Sequence, residues 1–129
     1  MAEASYPDDL RYHDEHDWVR IEGDNATMGI TWYAQDTLGE VVFYEPPEVG
    51  AAVQKDGAYA EVESVKAVSD VIAPMSGEVV EVNDLLEDSP EKINEDPYGD
   101  GWICIIEPDD ETSYNSLLDA DAYRRLIED

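Results

Sequence analysis

The stretch Ala58-Tyr59-Ala60-Glu61-Val62-Glu63-Ser64-Val65-Lys66-Ala67-Val68-Ser69-Asp70-Val71-Ile72-Ala73 decides the fold. Ala58, Ala60, Val62 and Ser64 fall on one face and Tyr59, Glu61, Glu63 and Val65 on the other, the period of a half-buried strand. Val68, Val71 and Ile72 resume a second strand beyond Lys66, which sits at the joint. Pro74 ends that strand because proline cannot donate to a ladder, and Gly77 opens a third over Glu78 to Val82. Short strands with tight connections read as a meander, and this spacing favours a sandwich or a small barrel.

Upstream, residues 1–16 are polar and acidic, and the first structured segment is Trp18-Val19-Arg20-Ile21. Glu22-Gly23-Asp24-Asn25 is turn chemistry that folds it back onto Ala26 to Ile30. Thr31 can cap a helix running to about Leu38, and Gly39 can end it, since glycine tolerates positive φ. Glu40 to Tyr44 is β-branched and aromatic, a strand stopped by Pro46-Pro47. Downstream, Asp96 to Gly101 is a loop and Trp102 to Ile106 a buried strand. Asp119 then caps a helix with Tyr123, Leu126 and Ile127 on one face. Gly-Glu-Val-Val occurs at Gly39 to Val42 and again at Gly77 to Val80; four residues fit a two-halved sandwich and chance equally well. Most of the fold is β, with small helices at its edges.

The chain has 129 residues, with 33 Asp and Glu against 7 Lys and Arg, a formal net charge of −26. The length suits a single domain, 1–129, with residues 1–10 a loosely ordered N-terminal segment. Such acidity excludes autonomous binding to nucleic acid or anionic lipid, both of which need clustered cations. An apolar content of 43% with compact Val/Ile runs opposes disorder. Repulsion among surplus carboxylates is unavoidable at ordinary salt, where the Debye length is about 8 Å. Near 1 M it shrinks to about 3 Å, so the surface suits a cytoplasm rich in salt. Lone Cys104 lies in an apolar run, which makes it a buried reduced thiol. Neither a leader pattern nor a span of about 20 apolar residues is present, and the reading is a soluble cytoplasmic protein.

Enzymatic constellations are missing. His13 and His16 lie in an acidic run without thiolates or a metal-binding framework, and are read as part of a solvated segment. There is no nucleophile elbow, phosphate-cradling loop or dinucleotide fingerprint. Glu63-Ser64-Val65-Lys66-Ala67 stands out instead. A lysine at a hairpin tip projects into solvent, and its neutral amine can be acylated to an amide that carries a prosthetic arm. Only Lys55, Lys66 and Lys92 survive in this chain, so solubility is a poor reason for a lysine flanked by Val65, Ala67 and Val68.

Several motifs in order resemble the H protein family of the glycine cleavage system, over nearly the whole chain from about Arg11. They are His16 to Arg20, Gly29-Ile30-Thr31 with Tyr33-Ala34-Gln35, Leu38 to Val42, Pro47 to Gly50, and Glu63 to Ala67. Ala73-Pro74 with Ser76 to Val79, Ile93-Asn94 and Asp96 to Trp102 follow. Trp32, Tyr44 and Pro46 depart from the family pattern without touching the lysine hairpin. The hairpin also resembles lipoyl domains of 2-oxo acid dehydrogenases and, more distantly, biotin carriers. Val65 and Ala67, standing where biotin carriers usually have methionine, argue against biotin.

The resemblance implies a mainly β barrel-sandwich hybrid of the lipoyl type, with short peripheral helices and a C-terminal helix. It makes Lys66 the lipoate attachment site, with Glu63, Ser64, Val65 and Ala67 the turn read by the lipoylating enzyme. The implied role is a non-enzymatic, monomeric carrier of the aminomethyl group from glycine decarboxylase (P protein) to aminomethyltransferase (T protein), reoxidised by dihydrolipoyl dehydrogenase (L protein). A loaded arm should rest in a groove that excludes water. Two other roles stay open: a lipoyl relay to 2-oxo acid dehydrogenases, and an unmodified H-like binding module. With the acid excess, the source reads as a halophilic archaeon.

Overall fold

A computed structural model describes residues 6–128. Among the described residues nine strands form two sheets. Strands β1 (Arg11–His13), β2 (Asp17–Glu22), β3 (Asn25–Ile30), β5 (Ala52–Val53), β8 (Gly77–Val82) and β9 (Cys104–Pro108) make the larger, in the order β1-β2-β3-β9-β8-β5. Strands β4 (Val41–Glu45), β6 (Ala58–Ser64) and β7 (Val68–Ile72) make the smaller, in the order β4-β6-β7. Helices α1 (Trp32–Leu38), α2 (Leu85–Asp88), α3 (Lys92–Glu95) and α4 (Ala120–Glu128) lie at the margins. This is the expected mainly β architecture with short helices and a C-terminal helix.

Both anticipated hairpins form. Asp17↔Ile30 through Glu22↔Asn25 pair around Gly23-Asp24, and Gly23 has φ +62°, the left-handed conformation that favours glycine. Thr31 Oγ1 accepts from the Ala34 N–H at 3.2 Å to cap α1. Gly39, at φ +89°, ends it and donates its N–H to the Gln35 carbonyl at 2.9 Å.

The β6 alternation is broken where the sequence reads as regular. The register shifts between Ala58 and Ala60, which pair with Ile72 and Val71. Tyr59 is the extra residue, so it turns inward alongside Val62 and Ser64 instead of opposing them. A second irregularity between Val41 and Phe43 buries Val41 and Tyr44 but leaves Val42 and Phe43 about half exposed. The expected meander is also interrupted: β8 does not pair with β7 but joins the larger sheet beside β5 and β9. Buried Ala73 and Met75 mark that crossing between sheets. Neither hydrophobic period nor proline position shows which sheet a strand will join, because that depends on partners distant in sequence.

Regular structure is already present before Trp18. β1 pairs with β2, and Tyr12 exchanges backbone hydrogen bonds with Leu118 at 2.8 and 2.9 Å. Leu10, Tyr12 and Trp18 pack with Ala120 and Tyr123 in a cluster beside the main core, and Tyr12 stacks on Tyr123 with centroids 4.8 Å apart. His13 is buried and His16 half-buried, so the solvated segment expected around them is corrected. Their acidic neighbours Asp14 and Glu15 face out and hide the inward pattern. On α4 the inward stripe is Ala120, Tyr123 and Ile127, whereas Leu126 is exposed. Asp119 caps that helix through the Ala122 N–H at 2.8 Å. Buried Cys104 is a free thiol whose pKa burial pushes up. Among the described residues no helix is long and apolar enough to cross a membrane.

Candidate functional site

Between β6 and β7 the chain reverses over Val65, Lys66 and Ala67. The Ser64 N–H donates to the Ala67 carbonyl at 2.8 Å, closing a loop whose apex is Val65-Lys66. Ser64 builds the turn from inside. Its hydroxyl oxygen accepts from the Lys66 N–H at 3.2 Å and the Ala67 N–H at 3.1 Å, satisfying two amides that a free apex would leave to solvent. Ser64 is therefore buried while Val65, Lys66 and Ala67 are exposed. Glu63 lies below them, half-buried, paired across the sheet with Phe43 on one side and Val68 on the other. The structure thus brings all five sequence-selected residues onto one projection, with Lys66 at its summit.

Exposed apolar side chains surround the summit. Val65 is 72% exposed and Val68 56%, beside the uncovered Phe43. On the opposite flank the projection leans on the end of α1. The Val65 N–H donates to the Glu40 carbonyl at 3.3 Å, and the Lys66 stem passes over Gly39. A groove of about 570 Å³ adjoins it, lined by Trp32, Gln35, Asp36, Gly39 and Glu40, with Asn94 and Glu95 of α3. This wall is not legible in the sequence. Its signals were scattered over three motifs of the chain, and only tertiary contact joins them. Trp32, one of the departures from the family pattern, is half-buried and lines the groove.

Away from the tip, Asp17 is a buried carboxyl at the start of β2. It accepts from the Ile72 backbone N–H at the far end of β7, while Oδ2 has no hydrogen-bond partner among the described residues. Burial pushes its pKa well above the ordinary value, since ionisation there forfeits hydration. His13 Nδ1 accepts from the Glu15 N–H at 3.0 Å, so Nε2 supplies the proton shared with Asp56 Oδ1 at 2.5 Å. That bond lowers the Asp56 pKa. His16 Nδ1 is hydrogen-bonded to Tyr123, whose hydroxyl also meets Thr31 Oγ1, each at 2.8 Å. Burial lowers the His16 pKa. Both histidines are thus engaged in joining elements, and among the described residues no group of three or more His, Cys, Asp or Glu is arranged to hold a metal.

The family model described as Glycine cleavage H-protein matches residues 10–129. The glycine cleavage system H protein of Halorhodospira halophila is 56% identical over 127 residues, covering 98% of each chain. A probable glycine cleavage system H protein of Haloarcula marismortui is 55% identical, covering 95% of this chain and 96% of that one. The crystal structure of a glycine cleavage system H protein from Mycobacterium marinum superposes with a TM-score of 0.86 at 41% identity, covering 95% of this chain and 98% of that one. From its motif order, its two-sheet fold and these near full-length matches, the chain belongs to the glycine cleavage H-protein family.

Proposed function

We propose that the chain is the lipoyl-bearing carrier of the glycine cleavage system and that Lys66 is its attachment site. The observation that carries the assignment is the exposure of Lys66 at the apex of a turn whose two following amides are held by Ser64. The residues fit the group. An exposed stem admits a modifying enzyme, and the neutral Nζ attacks an activated lipoyl carbonyl. A C–N bond forms, the activating group leaves, and the nitrogen loses a proton. Glu63, Ser64, Val65 and Ala67 present that amine as one rigid shape. The bound dithiolane supplies a disulfide that accepts the aminomethyl unit and is later regenerated by oxidation.

Turnover belongs to the partners in this reading: glycine decarboxylase, aminomethyltransferase, dihydrolipoyl dehydrogenase and the lipoylating enzyme. Exposed Val65, Val68 and Phe43 supply an apolar collar against which such enzymes can close. The −26 charge and the kinship to the Haloarcula marismortui protein support a cytoplasmic setting in a halophilic archaeon. Intact-mass analysis of protein purified from its natural host tests the assignment. A lipoyl-sized adduct that disappears in Lys66→Arg is expected. Unmodified wild-type protein, or an adduct that persists in Lys66→Arg, overturns it.

A further inference from the structure

We infer that Asn94 is a positioning residue for the lysine hairpin, acting through the Gly39–Val41 segment on which the hairpin leans. The inference rests on the reading of Lys66 as the acylated lysine. Asn94 spends both amide protons and its oxygen on three partners. Nδ2 donates to Gln35 Oε1 and to the Gly39 carbonyl, both at 2.9 Å, and Oδ1 accepts from the Val41 N–H at 2.8 Å. Gly39 and Val41 bracket Glu40, and the carbonyl of Glu40 receives the Val65 N–H at 3.3 Å. One side chain therefore grips the backbone on both sides of the contact made by the lysine turn.

The physical need is plain at a junction. α1 has ended at Leu38, and the ladder of β4 is irregular between Val41 and Phe43, so the backbone between them lacks a regular partner. An orphaned polar group there costs free energy, and an unbraced segment moves. Asn94 is itself held, because Ile93 beside it is fully buried in the main core. Only an amide of this length serves. A carboxylate keeps the acceptor for Val41 but turns an oxygen toward two other oxygens, and alanine supplies nothing.

Two measurements on full-length Asn94→Ala and Asn94→Asp test this. The first is hydrogen exchange, read at Val65 and Val41 and at Val19 and Met28 as distant references. Val65 should exchange at least about fivefold faster in both Asn94 variants, and Val41 in Asn94→Ala, where its acceptor is gone, the factor for losing one ordinary hydrogen bond, with the references unchanged. The second is lipoylation of Lys66 by a lipoylating enzyme supplied with lipoate and ATP. KM should rise about fivefold while kcat stays within about twofold, because the amine is intact but its presentation is not. Unchanged Val65 exchange, exchange raised equally at the references, or unchanged KM overturns the role of Asn94. Wild-type protein that takes up no adduct at Lys66 overturns the carrier reading instead, and the exchange experiment still decides the brace.

Discussion

Gly39 and Lys66 lie in contact: a Cβ built on Gly39 would sit 3.3 Å from Lys66 Cε, tighter than ordinary packing. Gly39 also has φ +89°, a conformation that an L side chain resists. Gly39→Ala should therefore cost about 1–2 kcal/mol from the backbone alone and push the lysine stem aside. Chemical denaturation reads the first effect and the rate of lipoylation the second. A variant as stable as wild type and modified as fast would show that the α1 terminus does not constrain the tip.

Ser64→Ala removes the acceptor shared by the Lys66 and Ala67 amides. The site is small and the methyl fits, so the fold should survive with a loss of about 1–2 kcal/mol. Faster exchange at the amides of Lys66 and Ala67, with lipoylation slowed, is the expected pattern. Loss of stability with normal lipoylation would reduce Ser64 to a core residue.

Asp17→Asn should stabilise the protein at neutral pH. The folded pKa of Asp17 is raised by burial, so its favourable share of stability is complete below its unfolded value near 3.8 and is lost as pH climbs through the folded value. Asparagine keeps an acceptor for the Ile72 N–H without ionising. The gain, about 1–3 kcal/mol for a buried orphan group, should shrink toward zero as pH falls to about 4. Paired denaturation curves across that range check it. A constant difference, or destabilisation at pH 7, would contradict it.

Salt should stabilise the fold by relieving self-repulsion. With a net charge of −26, Tm should climb steeply between about 0.1 and 1 M potassium chloride, as the Debye length falls from about 10 Å to about 3 Å. Calorimetry over that range supplies the test, and a flat Tm would mean that the carboxylates barely feel one another. Docking of partner enzymes at molar salt should, for the same reason, depend on contacts around Lys66. Association rates that fall steeply within the molar range would argue against this.

Local chemistry was legible wherever neighbours in sequence are neighbours in space. The turn at Gly23, the cap at Thr31, the end of α1 at Gly39 and the hairpin around Lys66 each depend on a few consecutive residues, and each appears where it was read. Motif order carried the family. Tyr59 was misassigned because a bulge adds a residue without changing composition, and the ordered segment at Arg11–His13 was missed because acidic neighbours masked its inward side chains.

By itself, then, the sequence determined that a sparsely used lysine stands at a hairpin tip in a strongly acidic β domain, because strand period, turn residues and charge balance act locally or additively. The tertiary structure alone decided what stands behind that lysine. Gly39, Glu40 and Asn94 meet the turn only after two sheets close, since Asn94 is 53 residues from Val41 and a contact over such a separation is specified by packing rather than by pattern.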